Sequence, residues 1–301
     1  TIVAVIDTGV NYNHEDLGGK MWQNANGFYG YDFVNNDPDP KDDHSHGTMI
    51  SGIIGANMNN GIGIAGISKA KIMALKAMDS SGEGLISDIA EAIAYAADNG
   101  AKVINMSLGL PDRSSVLDDA VTYAKNKGSL VIAATGNKGN NYVDSPANST
   151  YAIGVGAINS SSIRAEYSNY GMGIGVVALG DGIYSTSWSP AAPTNLYQSS
   201  RGTSFATPQV TATAALLLAK DPTLKPEQLK KRILSSATKL AVMNGQNYSD
   251  QYGYGKLDAY GALNYDRYQP EINALIYKNN NGSFMVKPSI NDDKNGIGIL
   301  P

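Results

Sequence analysis

Short apolar runs rich in valine, isoleucine and alanine recur along the chain: Ile2 to Ile6, Lys71 to Ala77, Lys102 to Met106, Leu130 to Ala134, Ala152 to Ala157 and Gly175 to Leu179. A strand with one wet face alternates apolar and polar residues. These runs are apolar at consecutive positions and so need cover on both faces. Helical patterns fill the gaps between them. Ser87 is placed to cap a helix with Ile89, Ile93, Ala96 and Ala97 on one face, ended by Asn99-Gly100. Ser115, with Asp118 three residues on, opens another that Gly128 terminates. Strands that need two covers, with helices between them, predict an α/β fold: a three-layer parallel sheet with helices on both faces. Functional groups in such sheets collect at the carboxyl ends of the strands.

A chain of 301 residues, 42% of them hydrophobic, has ample material for such a core. The formal net charge of −4 gives no support to nucleic acid or an anionic membrane as partner. No apolar run approaches the ~18 residues of a spanning helix. The lack of cysteine excludes disulfides, thiol catalysis and cysteine metal sites. The opening residues Thr1-Ile2-Val3-Ala4-Val5-Ile6 read as a strand rather than a signal peptide, so a mature or trimmed form is expected, and a monomer. Residues 1–265 carry the alternating pattern and are read as one domain. Residues 266–301 include turn-rich Lys278-Asn279-Asn280-Asn281-Gly282 and read as a C-terminal extension or the start of a further segment.

Four polar residues fall where a predicted strand ends or a helix begins. Ser204 lies in Arg201-Gly202-Thr203-Ser204-Phe205-Ala206-Thr207-Pro208, just before the apolar run Val210 to Ala219. Taken alone, a serine there is a helix cap. Histidines occur only at 14, 44 and 46, and His46-Gly47-Thr48 again runs from a polar loop into a small-residue helix. A lone histidine at such a place is a surface or capping residue. Asp7 follows the first strand in Ile6-Asp7-Thr8-Gly9, and Asn137 follows another in Thr135-Gly136-Asn137. Each of these two could serve only a turn. Together the four supply an acid, a base, a nucleophile and an amide.

The segments Asp7-Thr8-Gly9, His46-Gly47-Thr48 and Gly202-Thr203-Ser204-Phe205-Ala206-Thr207-Pro208 resemble the signatures of the subtilisin-like serine peptidases, in that family's order Asp, His, Ser. The resemblance runs from Thr1 to about Leu263. It implies a subtilisin-like fold and a secreted, extracellular endopeptidase with Ser204 as nucleophile, His46 as base and Asp7 as the orienting acid. It gives Asn137 and the Ser204 backbone N–H as oxyanion donors. Ser107, Leu108 and Gly109 match the family segment that pairs with an extended peptide substrate, and Leu110 stands where a second glycine is usual. Lys138 follows Asn137 where many members carry an acid, so a cation near the main specificity pocket is expected to favour acidic or neutral residues. Met49 and Gln209 replace the family's usual histidines, and Arg201 replaces a small or polar residue.

The loop Asn57 to Ile64 resembles the family's calcium loop, which implies a structural calcium held by Asp16, Asn60 and the carbonyls of Met58, Ile62 and Ile64. Five carboxylates between Asp32 and Asp43 repel one another unless solvated or bridged, and Asp37, Asp39 and Asp42 are expected as ligands of a second calcium. Members are commonly made with an inhibitory propeptide, which would be a further partner. A dedicated processing peptidase and an inactive, binding-only relative of the same fold are the alternatives. A non-peptidase hydrolase is disfavoured, because Ser204 has no Gly-x-Ser-x-Gly elbow around it.

Overall fold

The structure, a computed structural model, describes residues 1–265 and two strands beyond them, at 271–278 and 284–291. The chain divides into two compact units, Thr1–Leu263 and Asn264–Pro301. In the second unit, the antiparallel pair Glu271–Lys278 and Phe284–Asn291 is described. The turn-rich segment expected at 278–282 lies largely outside the described residues.

The first unit is built on a seven-stranded sheet. Its strands are β1 (Ile2–Asp7), β2 (Gly30–Asp32), β3 (Lys71–Lys76), β4 (Val103–Met106), β5 (Leu130–Ala134), β6 (Ala152–Ile158) and β7 (Ile174–Leu179). The order is β2-β3-β1-β4-β5-β6-β7, and every neighbouring pair is parallel. The strands expected from the apolar runs are all present, within a residue at each end. The three-residue β2 and an antiparallel hairpin, β8 (Ile183–Thr186) with β9 (Tyr197–Ser200), carry no comparable apolar signal.

Consecutive apolar residues on a strand face opposite sides, so each strand feeds two cores. On β1, Val3 and Val5 join one core with residues of α1 (His46–Gly55), α4 (Thr203–Lys220) and α5 (Pro226–Ser236). Ala4 and Ile6 join the other, with α2 (Ile86–Asp98) and α3 (Ser115–Asn126). These are the three expected layers. A short α6 (Ala259–Leu263) packs beside α4 and α5.

The α4 helix is buried over nearly its whole length because Phe205, Ala206, Val210, Ala212, Ala214, Leu217 and Leu218 leave no wet stripe. Two helix starts differ from expectation. Ser114 caps α3 by accepting from the Leu117 N–H at 3.3 Å, one residue before the expected Ser115. Leu85 precedes α2, and Ser87 lies inside the helix with its hydroxyl on Asp88.

Ile104 has no exposure and fills the core under α2 and α3, so Ile104→Ala should cost about 2–5 kcal/mol by urea denaturation. Leu85→Ala, at a side chain 65% exposed, should stay within about 0.5 kcal/mol.

Candidate active site

Asp7 is the last residue of β1, Ser107 follows β4 and Asn137 lies three residues past β5. The sheet therefore brings all three to one edge, its carboxyl end, as expected for this architecture. His46 begins α1, and Ser204 is the second residue of α4.

Asp7 has no exposure. Its Oδ1 accepts from the Thr8 N–H at 2.8 Å and lies 2.7 Å from His46 Nδ1. The imidazole keeps 20% exposure, so one ring edge is anchored on the carboxylate and the other is left for solvent or ligand. Burial lowers the His46 pKa, but the Asp7 charge, its hydrogen bond and the charge of Asp42 outweigh burial, and the net direction is up from 6.5. Gly47 makes this approach possible. A Cβ there would stand 2.0 Å from the Gly9 carbonyl oxygen and 3.1 Å from Asp7 Cβ.

The start of α1 is held by side chains distant in sequence. Thr8 Oγ1 accepts from the Gly47 N–H at 3.0 Å and donates to Asp42 Oδ1 at 2.9 Å. Asp42 Oδ2 accepts from the Thr48 N–H at 2.9 Å and from its hydroxyl at 2.6 Å. The carboxylate thus caps the helix N-terminus, where orphan N–H groups and the dipole favour an anion. Lys76, 1% exposed and next to Asp7 in the sheet, donates to the carbonyls of Thr8 and Met78 and to Asp43 Oδ1.

At Ser204 the hydroxyl donates to the Ser107 carbonyl at 3.0 Å and makes no hydrogen bond with His46 among the described residues. The next residue, Phe205, packs edge-on against the His46 ring, centroids 5.7 Å apart. The Ser204 carbonyl accepts from Ser107 Oγ at 2.8 Å. Pro208, four residues on, has no N–H to donate to that carbonyl, and Ser107 takes its place. Behind Ser107, Asn105 Nδ2 donates to its Oγ and Thr211 donates to Asn105 Oδ1, a buried polar rib from β4 to α4.

Asn137 Oδ1 accepts from both the Thr203 N–H (2.8 Å) and the Thr203 hydroxyl (3.0 Å). Its oxygen is thereby fixed and the amide N–H₂ is turned outward. Leu108 is 8% exposed, Gly109 is exposed, and Leu110 pairs with Ser145 through two backbone hydrogen bonds. Lys138 is exposed. Met49 is 2% exposed with Gln198 Nε2 against its sulfur, Gln209 donates to the Leu179 carbonyl, and Arg201 lies over the Tyr167 ring. Sequence reading missed Thr203, Asn105, Thr211 and Thr8. Only the adjacency of Thr203 and Thr8 to motif residues pointed to them.

Of the two expected metal positions, the Asp16 loop suits a hard cation. Asp16 has no exposure, and no Lys or Arg stands within 4.0 Å of it among the described residues. Asn60 Nδ2 and the Ile64 N–H each donate to one of its oxygens, at 2.7 and 2.8 Å, which leaves a lone pair on each oxygen. The acidic loop does not suit one. Asp42 turns inward and spends both oxygens on five donors, Asp39 accepts from the Tyr12 hydroxyl, and Asp37 accepts from the Asp39 N–H. No group of three or more acidic or histidine side chains that could hold a metal is gathered among the described residues, at the Asp16 loop or at the expected second position of Asp37, Asp39 and Asp42.

The sequence profile of the subtilase family matches residues 1–255. A thermophilic serine proteinase of Bacillus sp. (strain AK1) is 42% identical over 264 residues, covering 87% of this chain and 61% of that protein. Thermitase of Thermoactinomyces vulgaris is 40% identical over 264 residues, covering 87% of this chain and 88% of its own. Among solved structures, a protease of Pseudoalteromonas arctica superposes with a TM-score of 0.79 at 30% identity, covering 88% of this chain and 89% of that one. A cold-adapted subtilisin-like serine proteinase superposes at 0.71 and 34% identity, covering 85% and 86%. The chain belongs to the subtilase family of subtilisin-like serine endopeptidases.

Ring-proton NMR should place the His46 titration above 6.5, and Asp7→Asn should move it down by removing the charge that favours imidazolium. An unchanged midpoint in the variant would show that Asp7 does not set it.

Proposed function

We propose that this chain cleaves peptide bonds by acyl transfer to Ser204, with His46 moving the proton and Asp7 holding the ring. The observation that carries the reading is the 2.7 Å contact between His46 Nδ1 and a fully buried Asp7 oxygen. It fixes the tautomer with the proton on Nδ1, so Nε2 is the free base. For attack, Ser204 Oγ turns from the Ser107 carbonyl toward Nε2. Oγ then bonds to the scissile carbonyl carbon and its proton passes to Nε2. Collapse of the tetrahedral adduct breaks the C–N bond, and the leaving amine takes the proton from Nε2. Water repeats the sequence on the acyl-enzyme.

The oxyanion is received by the Asn137 N–H₂, already turned outward because Thr203 occupies its oxygen, and by the Ser204 N–H. First-turn N–H groups have no intrahelical acceptor, so the Ser204 N–H is available. The extended substrate lies along Ser107 to Leu110, its backbone pairing as an added strand. Calcium at Asp16, Asn60 and the carbonyls of Met58, Ile62 and Ile64 would supply a structural charge that ties the 57–64 loop to the buried carboxylate. Extracellular action belongs to the same proposal. No helix among the described residues is long and apolar enough to cross a membrane.

Ser204→Ala and His46→Ala should each lower turnover on the order of 10⁶-fold, and Asn137→Ala by about 10²–10³-fold, assayed on casein and on chromogenic peptides. A sulfonyl fluoride should label wild type and not Ser204→Ala. Undiminished turnover in Ser204→Ala would end the proposal.

Removing calcium with a chelator should lower Tm by several degrees, on a ligand linkage of about 2.7 kcal/mol at a hundredfold excess over Kd. Asp16→Asn should abolish the response. A chelator-insensitive Tm in wild type would remove the calcium from the proposal.

A further inference from the structure

We propose that the cleft lined by Tyr12, Phe28, Tyr29, Pro38, Asp39 and Pro40 binds a small free solute that carries a quaternary ammonium group. The inference goes beyond the peptidase reading and does not rest on it. None of these residues is one of Asp7, His46, Asn137 and Ser204, and none lies in the segments that follow β4 and β5.

Three separate stretches of chain build the cleft. Tyr12 comes from the segment after β1, Phe28 and Tyr29 immediately precede β2, and residues 38–40 follow it. The first and third stretches are fastened twice. The Val10 N–H donates to the Pro40 carbonyl at 2.9 Å, and the Tyr12 hydroxyl donates to Asp39 Oδ1 at 2.6 Å. The Tyr12 and Tyr29 rings touch, with centroids 4.8 Å apart and planes tilted by 41°, and both pack against the core that contains α1 and α4. Phe28, 41% exposed, completes the aromatic wall. The walls are therefore built before any ligand arrives.

Charge sets the sign of the ligand. Asp39 makes no ion pair among the described residues. Lys41, the nearest cation in sequence, lies over the Trp188 ring at 5.0 Å. Asp37, whose Oδ1 accepts from the Asp39 N–H at 2.8 Å, adds a second negative charge beside the first. Burial and Asp39 push the Tyr12 hydroxyl up, so it remains a donor that holds the carboxylate in alkaline solution.

The walls set the kind of cation. Calcium takes about six to eight oxygens, and one carboxylate among rings and proline carbon does not supply them. A primary ammonium or a guanidinium brings several N–H donors that would lack acceptors here. A quaternary ammonium has no N–H, and its charge is drawn to aromatic faces. The volume, about 290 Å³, is at the lower end of the roughly 300–1,000 Å³ of pockets for drug-sized ligands, which suits a solute of the size of choline.

The probe is choline, and the control is its neutral carbon isostere, with a tert-butyl group in place of trimethylammonium. Calorimetry on the whole chain should show saturable choline binding, about tenfold or more tighter than that of the isostere. Asp39→Asn and Phe28→Leu, the latter keeping apolar bulk without the ring, should each weaken choline about threefold or more and leave the isostere within about twofold. In wild type, intermolecular NOEs from the choline methyls should fall on the Phe28 and Tyr29 ring protons. Absence of saturable binding, equal affinity for the isostere, NOEs to other rings only, or wild-type affinity in both variants overturns the inference. Co-sedimentation with phosphatidylcholine vesicles without binding of free choline overturns the assignment to a free solute.

Discussion

Asp7 is held without exposure at the carboxyl end of β1, an inner strand of the sheet, with one oxygen on two donors and Oδ2 on none among the described residues. A carboxylate placed so costs several kcal/mol of lost hydration unless charge or N–H groups converge on it. Most of the surrounding structure supplies that convergence. Gly47 lets α1 come close enough for the imidazole to reach the acid, and Thr8 and Asp42 fix the helix end from the strand side. Lys76 sets an ammonium on the neighbouring strand end, spread over two carbonyls and Asp43. The His46 ring is thus oriented by a sheet and a helix cap together, which is stiffer support than a loop would give.

Ser204 is supported from another side. The rib Thr211–Asn105–Ser107 crosses from α4 to β4 inside the core and ends on the Ser204 carbonyl. Thr203 orients Asn137 from the same helix start. One turn of α4 therefore positions the Ser204 hydroxyl and the Asn137 amide at once. Displacement of that turn would disturb both.

The layers were legible in the chain because they are local signals, and so was the placing of four polar residues beside them. Consecutive apolar residues announce a doubly covered strand, and Asp7, His46, Asn137 and Ser204 each sit at a strand end or helix start. What stayed hidden depends on partners far apart in sequence. Asp42 was counted among repelling carboxylates because its donors Thr8 and Thr48 come into reach only when α1 docks on β1. The helix starts at Ser87 and Ser115 were misplaced because several adjacent residues can serve as a cap and tertiary packing chooses the register. Three-residue β2 has too few positions to show a period at all.

Pro208 has a consequence for motion. First turns of helices ordinarily fray, since their carbonyls are released one at a time at little cost. In α4 the Ser204 carbonyl is fastened sideways to Ser107 rather than forward along the helix. Loosening this turn means breaking a contact with Ser107, the residue that follows β4, so the first turn of α4 is coupled to the end of a sheet strand. Amide exchange at Phe205 and its neighbours would then follow the opening of the sheet rather than that of a helix end.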